Sequence, residues 1–544
     1  MRKIFSSFES VTESEGVNVM AESLTAGVDI GTTSTKTLAY DTDGKIWAER
    51  ELEYPIYSPD PAWKEQDPYE ILRAVEQTLK NVVEDVAKEG KHIGTIGFSA
   101  AMHSILAVDE NGEPLTQALT WADQRSVHET EKVKAENGQD IFERTGTPIH
   151  PMAPLTKIMW FQKHREEIAA KAAKWISVKE FLFHKWFGEY IVDYSIASAS
   201  GLFNIHKKQW DDRAMALAGI TENHLSTPVS TTYQRSDLHQ DVCKRLHLQE
   251  TTTVVIGASD GVLANVGSGA LEEGVVACSI GTSGAIRTVI DRPYTDPKGR
   301  IFCYALTDEL WVIGGPINNG GIALRWMRDK IMPDLKEECR KNGTDPYDVL
   351  TEMAESVMPG SDGLLFLPYM TGERAPFWNS DTKGVFFGLT LHHGREQMVR
   401  SVMEGVMMQM YAVVVALIEA GINIKEFRAN GGFARSELWK QMMADIFESD
   451  IVVPDSHQSA CFGAAWLAMT ATGQKESLDT IHELIPIETR QSPIMDNVTA
   501  YRDLKPIFLR LARNLQSEFS AIADVQRAHA EGKRTLSTEK GEIL

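Results

Sequence analysis

Two stretches far apart in the chain carry the same three residues, Ile-Gly-Thr, at a bend between apolar runs. They are residues 28–36 and residues 278–285. A strand, a turn of small residues and a second strand are typical of a β-hairpin. Glycine lets the backbone approach an anion, and successive N–H groups with Thr and Ser hydroxyls form an anion-binding concavity. Each stretch alone is as consistent with an ordinary hairpin, but the repeat in two halves favours a pair that holds a triphosphate from both sides.

Asp260 is a lone carboxylate between a β-run, residues 254–259, and a helix that begins with small residues. At the N-terminus of a helix, an aspartate often only caps backbone N–H groups. Asp260 also precedes the second hairpin by about twenty residues, which would let it reach a substrate hydroxyl. Position alone favours the cap, and the substrate role stays open.

Polar side chains follow two further predicted strands. His103 comes just after the buried run 93–99, and Arg125 follows the strand that starts at Ala118. Ligands of α/β sheets usually bind at the carboxyl ends of strands. His103 is therefore a candidate substrate contact, or a loop histidine whose hydrogen bonds are satisfied. The planar fork of Arg125 suits a carboxylate or a polyol, and an ion pair with Asp123 explains it equally well.

Composition excludes several classes of function. The 544 residues have a net charge of −21, which argues against nucleic acid because such a ligand needs a basic face. An anionic ligand must then be held by local groups. The five scattered cysteines lack metal-ligand spacing and are typical of buried thiols in a reducing compartment. Residues 1–24 lack the features of a signal peptide, so we expect a cytoplasmic protein that binds no membrane.

The elements that position these residues follow from periodicity. Apolar residues at helical spacing predict a helix over residues 69–88. Residues 397–420 predict a long helix whose methionines pack in the core. A strand, the pair Gly431-Gly432 and a further helix predict a platform for adenosine, because the glycines let a flat base approach the backbone.

Two longer stretches resemble the signatures of one protein family. One is residues 152–161, and the other runs from residues 384–389 through residues 397–404. On these motifs the chain is identified as a member of the FGGY family of carbohydrate kinases, over residues 26–523. The resemblance implies an α/β fold of two ribonuclease-H-like domains of the actin/Hsp70 type, with a catalytic cleft between them.

The resemblance also implies how the chain is divided. Residues 1–24 would form a loose extension, and residues 525–544 a charged, frayed tail. Residues 25–269 would form the N-terminal domain, which binds a sugar acid and carries the first phosphate hairpin. Residues 270–524 would form the C-terminal domain, which binds ATP.

Roles for individual residues come from the same resemblance. Asp260 takes the place of the catalytic base, which favours the substrate role over the cap, and Asp29 works at the metal–phosphate end through a water molecule. The implied phosphate contacts are Thr32, Thr33, Ser34, Lys36, Gly281 and Thr282, and the implied nucleoside contacts are Gly321, Arg325, Gly432 and Ser436. Lys36 and Arg325 depart from the glycerol kinases, which have Arg and Gln there.

The acceptor side is implied in the same way. The substrate contacts would be Met102, His103, Arg125, Met152, Lys157 and Asp260. Within the family, residues 256–263 and 280–287 are most similar to gluconokinases. We therefore expect ATP-dependent phosphorylation of the 6-hydroxyl of D-gluconate, with Mg²⁺ between the β- and γ-phosphates. Because gluconate carries a carboxylate, a local cation must face it, and Arg125 is the first choice before Lys157 and His103.

Two other functions remain open at this point. Xylulokinases share the Met-His pair found here at Met102-His103, so D-xylulose is the nearer rival acceptor. A nucleotide switch of the actin/Hsp70 type would have no small acceptor at all. A homodimer is a further possibility that the sequence does not decide.

Overall fold

The first strand begins at Ser23, within the stretch expected to be a loose extension. The computed structural model describes residues 23–454 and 459–530. The rest of the expected extension, residues 1–22, lies outside the described residues. Residues 525–530, expected to belong to a frayed tail, are part of the last helix, which ends at Ala530. Residues 531–544 also lie outside the described ranges.

The first half of the chain alternates strands with helices. Its strands are β1 (Ser23–Ile30), β2 (Ser34–Tyr40), β3 (Ile46–Glu53), β4 (Glu65–Gln66), β5 (His92–Ala100), β6 (Leu106–Val108), β7 (Ala118–Leu119), β8 (Lys174–Ile176), β9 (Ile191–Asp193), β10 (Phe203–Asn204), β11 (Gln209–Trp210), β12 (Thr227–Val229), β13 (Gln234–Arg235) and β14 (Thr253–Ser259). Its helices are α1 (Pro68–Lys88), α2 (Val127–Glu136), α3 (Gly138–Thr145), α4 (Pro154–His164), α5 (Glu166–Ala169), α6 (Val178–Phe187), α7 (Tyr194–Ser198), α8 (Asp212–Ala218), α9 (Gln240–Leu246) and α10 (Asp260–Gly267).

The second half repeats this alternation. Its strands are β15 (Val275–Ile280), β16 (Gly284–Ile290), β17 (Phe302–Ala305), β18 (Trp311–Ile317), β19 (Leu365–Leu367), β20 (Val385–Phe387), β21 (Glu426–Asn430), β22 (Ile451–Pro454) and β23 (Ile487–Gln491). Its helices are α11 (Gly321–Trp326), α12 (Pro333–Asn342), α13 (Pro346–Glu355), α14 (Arg395–Glu419), α15 (Glu437–Phe447), α16 (Ser459–Ala471), α17 (Met495–Asn514) and α18 (Gln516–Ala530).

The two halves share one sheet topology. In the first sheet the strand order is β13-β14-β5-β1-β2-β3, and in the second it is β17-β18-β16-β15-β21-β22-β23. In each, a hairpin (β1–β2 or β15–β16) is antiparallel, and the next strand in the order, β5 or β21, runs parallel to its first strand. Two α/β units of the same design therefore place equivalent hairpins in the two halves.

Helix α1 shows how local sequence fixes the elements. Asp67 caps it by accepting hydrogen bonds from the backbone N–H groups of Tyr69 and Glu70, and Pro68 occupies the first turn. Its apolar residues at helical spacing are buried, as in Val75 and Leu79. The helix predicted over residues 69–88 is thereby confirmed.

Helix α16 lies between the two halves. It belongs to the second half of the chain but packs on β1 and β5 of the first sheet and on α10. A Cβ added at Gly27 would lie 2.0 Å from the carbonyl oxygen of Cys461, and one at Gly97 would lie 2.2 Å from that of Ala464. Only glycine permits this approach of helix to strand, so these two positions fix the contact between the halves.

The long helix α14 is a core element, as its methionines predicted. Among the described helices, it is the one long and apolar enough to cross a membrane, and 83% of its most apolar window is buried inside the protein. The five cysteines are buried and free, which agrees with the sequence.

Candidate functional site

The two predicted hairpins point into one cleft of about 310 Å³. The cleft is lined by Thr32, Met102, His103, Trp121, Asp260, Ser279, Gly281, Ser283, Gly284, Ala285, Arg287, Phe302, Tyr304, Pro316 and Arg374. Among the residues proposed from the sequence, Thr32, Met102, His103, Asp260 and Gly281 are brought together here. They come from both halves of the chain, so the cleft lies between the two sheets.

The tips of the hairpins are tight turns held by backbone hydrogen bonds. In the first, the N–H of Gly31 donates to the carbonyl of Ser34 at 2.9 Å, and the indole N–H of Trp121 donates to Thr32 Oγ1 at 3.1 Å. In the second, the N–H of Gly281 donates to the carbonyl of Ser283 at 2.8 Å. The N–H of Gly321 donates to the carbonyl of Gly281 at 2.8 Å and so ties the start of α11 to this tip.

Asp260 is the first residue of α10, and Ser259 is the N-cap. Its Oδ1 accepts a hydrogen bond of 2.7 Å from the N–H of Gly261. Burial raises the pKa of Asp260, and the neighbouring Arg287 partly offsets this. Burial makes this carboxylate a stronger base than one in water, which is what a general base requires.

Buried polar groups hold the backbone on which Asp260 sits. The ammonium group of Lys179 donates to the carbonyls of Ile256 and Ala258 at 3.1 and 3.2 Å. It also pairs with the carboxylate of Asp193 at 2.6 Å. Because these groups are buried and paired, the end of β14 is fixed relative to the cleft.

Asp29 lies near Asp260, on the first hairpin. Its Oδ1 accepts a hydrogen bond of 2.6 Å from the hydroxyl of Ser99. Burial, followed by repulsion from Asp260, raises the pKa of Asp29 to about 6. No cluster of three or more metal-binding side chains exists among the described residues. Mg²⁺ at a nucleotide is commonly held by one or two carboxylates together with the phosphates. The carboxylate of Asp29, with Asp260 nearby, is consistent with such a site.

His103 is held in the neutral form at the cleft. Its ring Nδ1 is 2.7 Å from the carbonyl oxygen of Ala199, and a carbonyl only accepts, so Nδ1 carries the hydrogen. Burial, with a further contribution from Lys157, lowers the pKa of His103 to about 3. Nε2 is therefore a hydrogen-bond acceptor, which suits a substrate hydroxyl.

Lys157 and Met152 do not line the cleft. The ammonium group of Lys157 donates to the carbonyls of His103 and Thr120 at 2.9 and 2.7 Å. Lys157 thus holds the loop of His103 from behind. Met152 is buried in the core, with 1% of its surface exposed. This placement does not support their expected contacts with the acceptor, which stay predictions.

Arg125 is also absent from the cleft lining. Its guanidinium donates twice to Asp123, at 2.9 Å each, and to Glu65 at 2.6 Å. The guanidinium also stacks on Trp63, 4.0 Å from the ring centroid. Arg125 is buried, and its Nε and Nη2 donors are engaged by two protein carboxylates. This placement does not support the expectation that it faces the acceptor carboxylate, which stays a prediction.

Lys36 and Ser34 of the first hairpin were expected to contact phosphates, but their side chains contact carboxylates of the protein. Lys36 pairs with Glu51 at 3.1 Å and with Glu49 at 3.8 Å, and the hydroxyl of Ser34 donates to Glu51 at 2.7 Å. These carboxylates lie on the adjacent strand β3. Neither residue is among those that line the cleft. Thr33 is exposed at the turn, where its hydroxyl is accessible.

The proposed nucleoside contacts divide between two places. Gly432 lines a second cleft, of about 790 Å³, next to Gly431. Arg325 donates to the hydroxyl of Thr282 at 3.3 Å and so contacts the second hairpin. Ser436 caps α15 by accepting a hydrogen bond from the N–H of Trp439, so its hydroxyl serves the helix.

Two cations of the cleft, Arg287 and Arg374, are not among the site residues predicted from the sequence. Arg287 is the one charged residue of β16, a strand otherwise made of apolar and small residues, and that signal could have identified it. Arg374 lies in the loop after β19, donates to Asn318 Oδ1 at 2.7 Å and covers Trp121 at 4.7 Å. Its position depends on contacts between distant segments, which periodicity cannot reveal.

Comparison with known proteins agrees with the geometry. Residues 24–267 match the N-terminal domain of the FGGY family of carbohydrate kinases, and residues 276–472 match its C-terminal domain. A gluconokinase of Bacillus subtilis (strain 168) is 50% identical over 503 residues, which are 92% of this chain and 98% of that protein. Crystal structures of a gluconate kinase and of a ligand-bound xylulose kinase, both from Lactobacillus acidophilus, each superpose with a TM-score of 0.86. Both are 32% identical and cover 92% of this chain and 100% of theirs.

Proposed function

Because this chain belongs to the FGGY family of carbohydrate kinases, we propose that it transfers the γ-phosphoryl group of ATP to D-gluconate. The products are ADP and 6-phospho-D-gluconate, since the 6-hydroxyl is the acceptor. The fold is the α/β, two-domain architecture of the family. The identity of 50% to a gluconokinase supports gluconate over a neutral sugar.

The observation that carries this proposal is the cleft in which Asp260 faces the tips of both hairpins. Phosphoryl transfer needs two partners aligned in line, and it needs groups that balance charge on the transferred oxygens. Two glycine-containing turns from opposite sheets supply backbone N–H groups and hydroxyls for the phosphates. The acceptor hydroxyl then lies between them and Asp260.

Asp260, His103 and Asp29 have separate roles in the proposed reaction. Asp260 accepts the proton of the 6-hydroxyl as the bond to phosphorus forms and the bond to the β-phosphate oxygen breaks. The neutral ring of His103 accepts a hydrogen bond from another hydroxyl of the sugar acid and orients it. We assign Asp29 to Mg²⁺ through water, and the ion would neutralise charge on the β- and γ-phosphates.

The proposal also includes residues that contact the nucleotide. Thr32, Thr33, Gly281 and Thr282 are assigned to phosphates, and Gly321 and Gly432 to the nucleoside. We also place the enzyme in the cytoplasm, where ATP is available. A homodimer is a further expectation that analytical ultracentrifugation can test.

An ADP-release assay with a panel of acceptors tests the proposal. D-gluconate should give the highest kcat/KM, ahead of D-xylulose, glycerol and ribulose. D-xylulose is the critical comparison, because the structure of a xylulose kinase superposes equally well. A preference for xylulose would replace gluconate as the substrate, and ADP release that does not depend on any acceptor would contradict the kinase function.

A further inference from the structure

The cleft holds a cation that the mechanism above does not use. Arg287 lies at the middle of β16, opposite Ala277 of β15 and Gly314 of β18. Its Nε is buried and has no hydrogen-bond partner. A buried donor without a partner is costly, so such a group in a ligand cleft indicates a ligand that accepts a hydrogen bond from it.

A second unpartnered polar group lies in the same cleft. Tyr304 on β17 is 1% exposed, and its hydroxyl has no partner. Its ring stacks on Phe302 at 4.2 Å and meets the edge of His103 at 5.9 Å, so its position is fixed by packing. The hydroxyl and the guanidinium of Arg287 thus offer two donors at one end of the cleft.

The residues that line the cleft carry more positive than negative charge, which favours an anionic ligand. The lining contains two guanidinium groups, Arg287 and Arg374, and one carboxylate, Asp260. Arg374 is held by neutral acceptors, Asn318 Oδ1 at 2.7 Å and the carbonyl of Ile317 at 3.3 Å. The carboxylate of Glu373, next to Arg374 in the chain, accepts from the backbone N–H groups of Asn318 and of Arg374 itself. A ligand carboxylate at Arg287 would supply the second negative charge and neutralise the lining.

Arg287 lies on the acceptor side of the cleft and away from the phosphate turn. Four residues of strand, about 13 Å, separate it from Ser283 at the tip. Its guanidinium packs on Gly261, where an added Cβ would lie 3.0 Å from Nη2 and 2.7 Å from Met102 Cε. The absence of a side chain at residue 261 therefore makes space for the guanidinium beside Asp260.

The same strand is tied to the helix that carries the base. The side-chain amide of Asn265 on α10 donates to the backbone carbonyl of Arg287 at 3.5 Å. This bond ties the backbone of β16 at Arg287 to the helix that begins with Asp260. The cleft can then offer one acceptor a carboxylate for its hydroxyl and a guanidinium for its anion.

We propose that Arg287, assisted by the hydroxyl of Tyr304, binds the carboxylate of the sugar acid and makes the enzyme select acids over neutral polyols. This inference rests on the proposed function and names the specificity-determining residue for it. A site built to pair with a substrate carboxylate rejects an analogue that lacks it, because the buried donors are then left unpaired.

The test compares D-gluconate with D-glucitol, which has a hydroxymethyl group in place of the carboxylate. Dissociation constants are measured by calorimetry for the wild type, Arg287→Met, Arg287→Lys and Tyr304→Phe. Arg287→Met should weaken gluconate binding by about 10²-fold to 10³-fold and leave glucitol within about threefold. Arg287→Lys should recover part of the loss, because it keeps the charge and loses the fork. Tyr304→Phe should lose about tenfold for gluconate.

Controls separate this role from others. Arg292→Met removes an exposed guanidinium two residues beyond β16, and it should change neither constant. Melting temperature and Mg-ATP affinity report on folding and on a phosphate role for Arg287. If Arg287→Met keeps gluconate affinity within about threefold of wild type, or loses Mg-ATP affinity instead, the inference is overturned. A wild type that does not phosphorylate gluconate would instead reject the proposed function.

Discussion

Replacing Asp29 with asparagine should stabilise the protein while impairing it as an enzyme. Asp29 lies on the first hairpin with Ser99 as its hydrogen-bond donor and Asp260 nearby, and its pKa rises from 3.8 to about 6. The charged form is therefore disfavoured in the folded protein. An asparagine at this position would keep an acceptor for the Ser99 hydroxyl and carry no charge.

The size of the effect follows from the shift of about two pKa units. Between about pH 4 and pH 6 the folded protein keeps a proton that the unfolded chain has lost, so stability falls as the pH rises through this window. Above pH 6 the full cost of the Asp29 charge is about 3 kcal/mol, and at pH 5 it is about half of that. The Asp29→Asn variant escapes this cost, so its advantage should grow with pH.

Urea unfolding of wild type and Asp29→Asn at pH 5, 6, 7 and 8 checks this expectation. Asp43→Asn, which removes an exposed carboxylate near the same hairpin, is the matched control. The midpoint of Asp29→Asn should exceed that of wild type by more at pH 8 than at pH 5. A variant that is less stable at pH 8, or a difference that does not change with pH, would refute the reasoning.

Thr32→Val and Thr282→Val should each raise KM for Mg-ATP by about tenfold and change KM for gluconate less, because each removes one hydroxyl from a phosphate turn. Unchanged nucleotide affinity in both variants would remove the two-hairpin clamp. Arg125→Met should lower the free energy of unfolding by about 3–5 kcal/mol, because it leaves the buried carboxylate of Asp123 and the partly buried carboxylate of Glu65 without their cation. Its KM for gluconate should stay within about threefold of wild type, and a selective loss of gluconate use would return Arg125 to the acceptor site.

The hairpins could be predicted because their signals are local. Gly31 and Gly281 lie between residues of strand propensity, and the turn forms from neighbours in the chain. The pairing of β1 with β2 and of β15 with β16 confirms them. Lys36 was assigned to a phosphate, but register places it opposite Glu51 of β3. A cross-strand ion pair of that kind depends on the register, which the sequence reasoning did not work out.

The sequence could not show which arginine reaches the cleft. Arg125 follows a strand end and resembles a ligand contact. Its guanidinium nevertheless donates to Glu65, which lies sixty residues earlier in the chain. Arg287 sits inside a strand and reaches the cleft because Gly261 from another element leaves space. Both outcomes depend on tertiary contacts. The docking of α16 on Gly27 and Gly97 is of the same kind, because it joins segments more than 350 residues apart.

The central claim is that Asp260 is the general base for transfer to gluconate, and Asp260→Asn tests it most directly. The measurement is kcat/KM for D-gluconate, with Mg-ATP affinity and melting temperature determined on the same preparations. We expect a loss of about 10²-fold to 10⁴-fold in kcat/KM, with nucleotide affinity unchanged. We also expect a melting temperature that does not fall, because the raised pKa shows that the charge on Asp260 is disfavoured in the folded state. A loss of less than about tenfold in kcat/KM, together with a lower melting temperature, would make Asp260 a helix-terminal residue and contradict the claim.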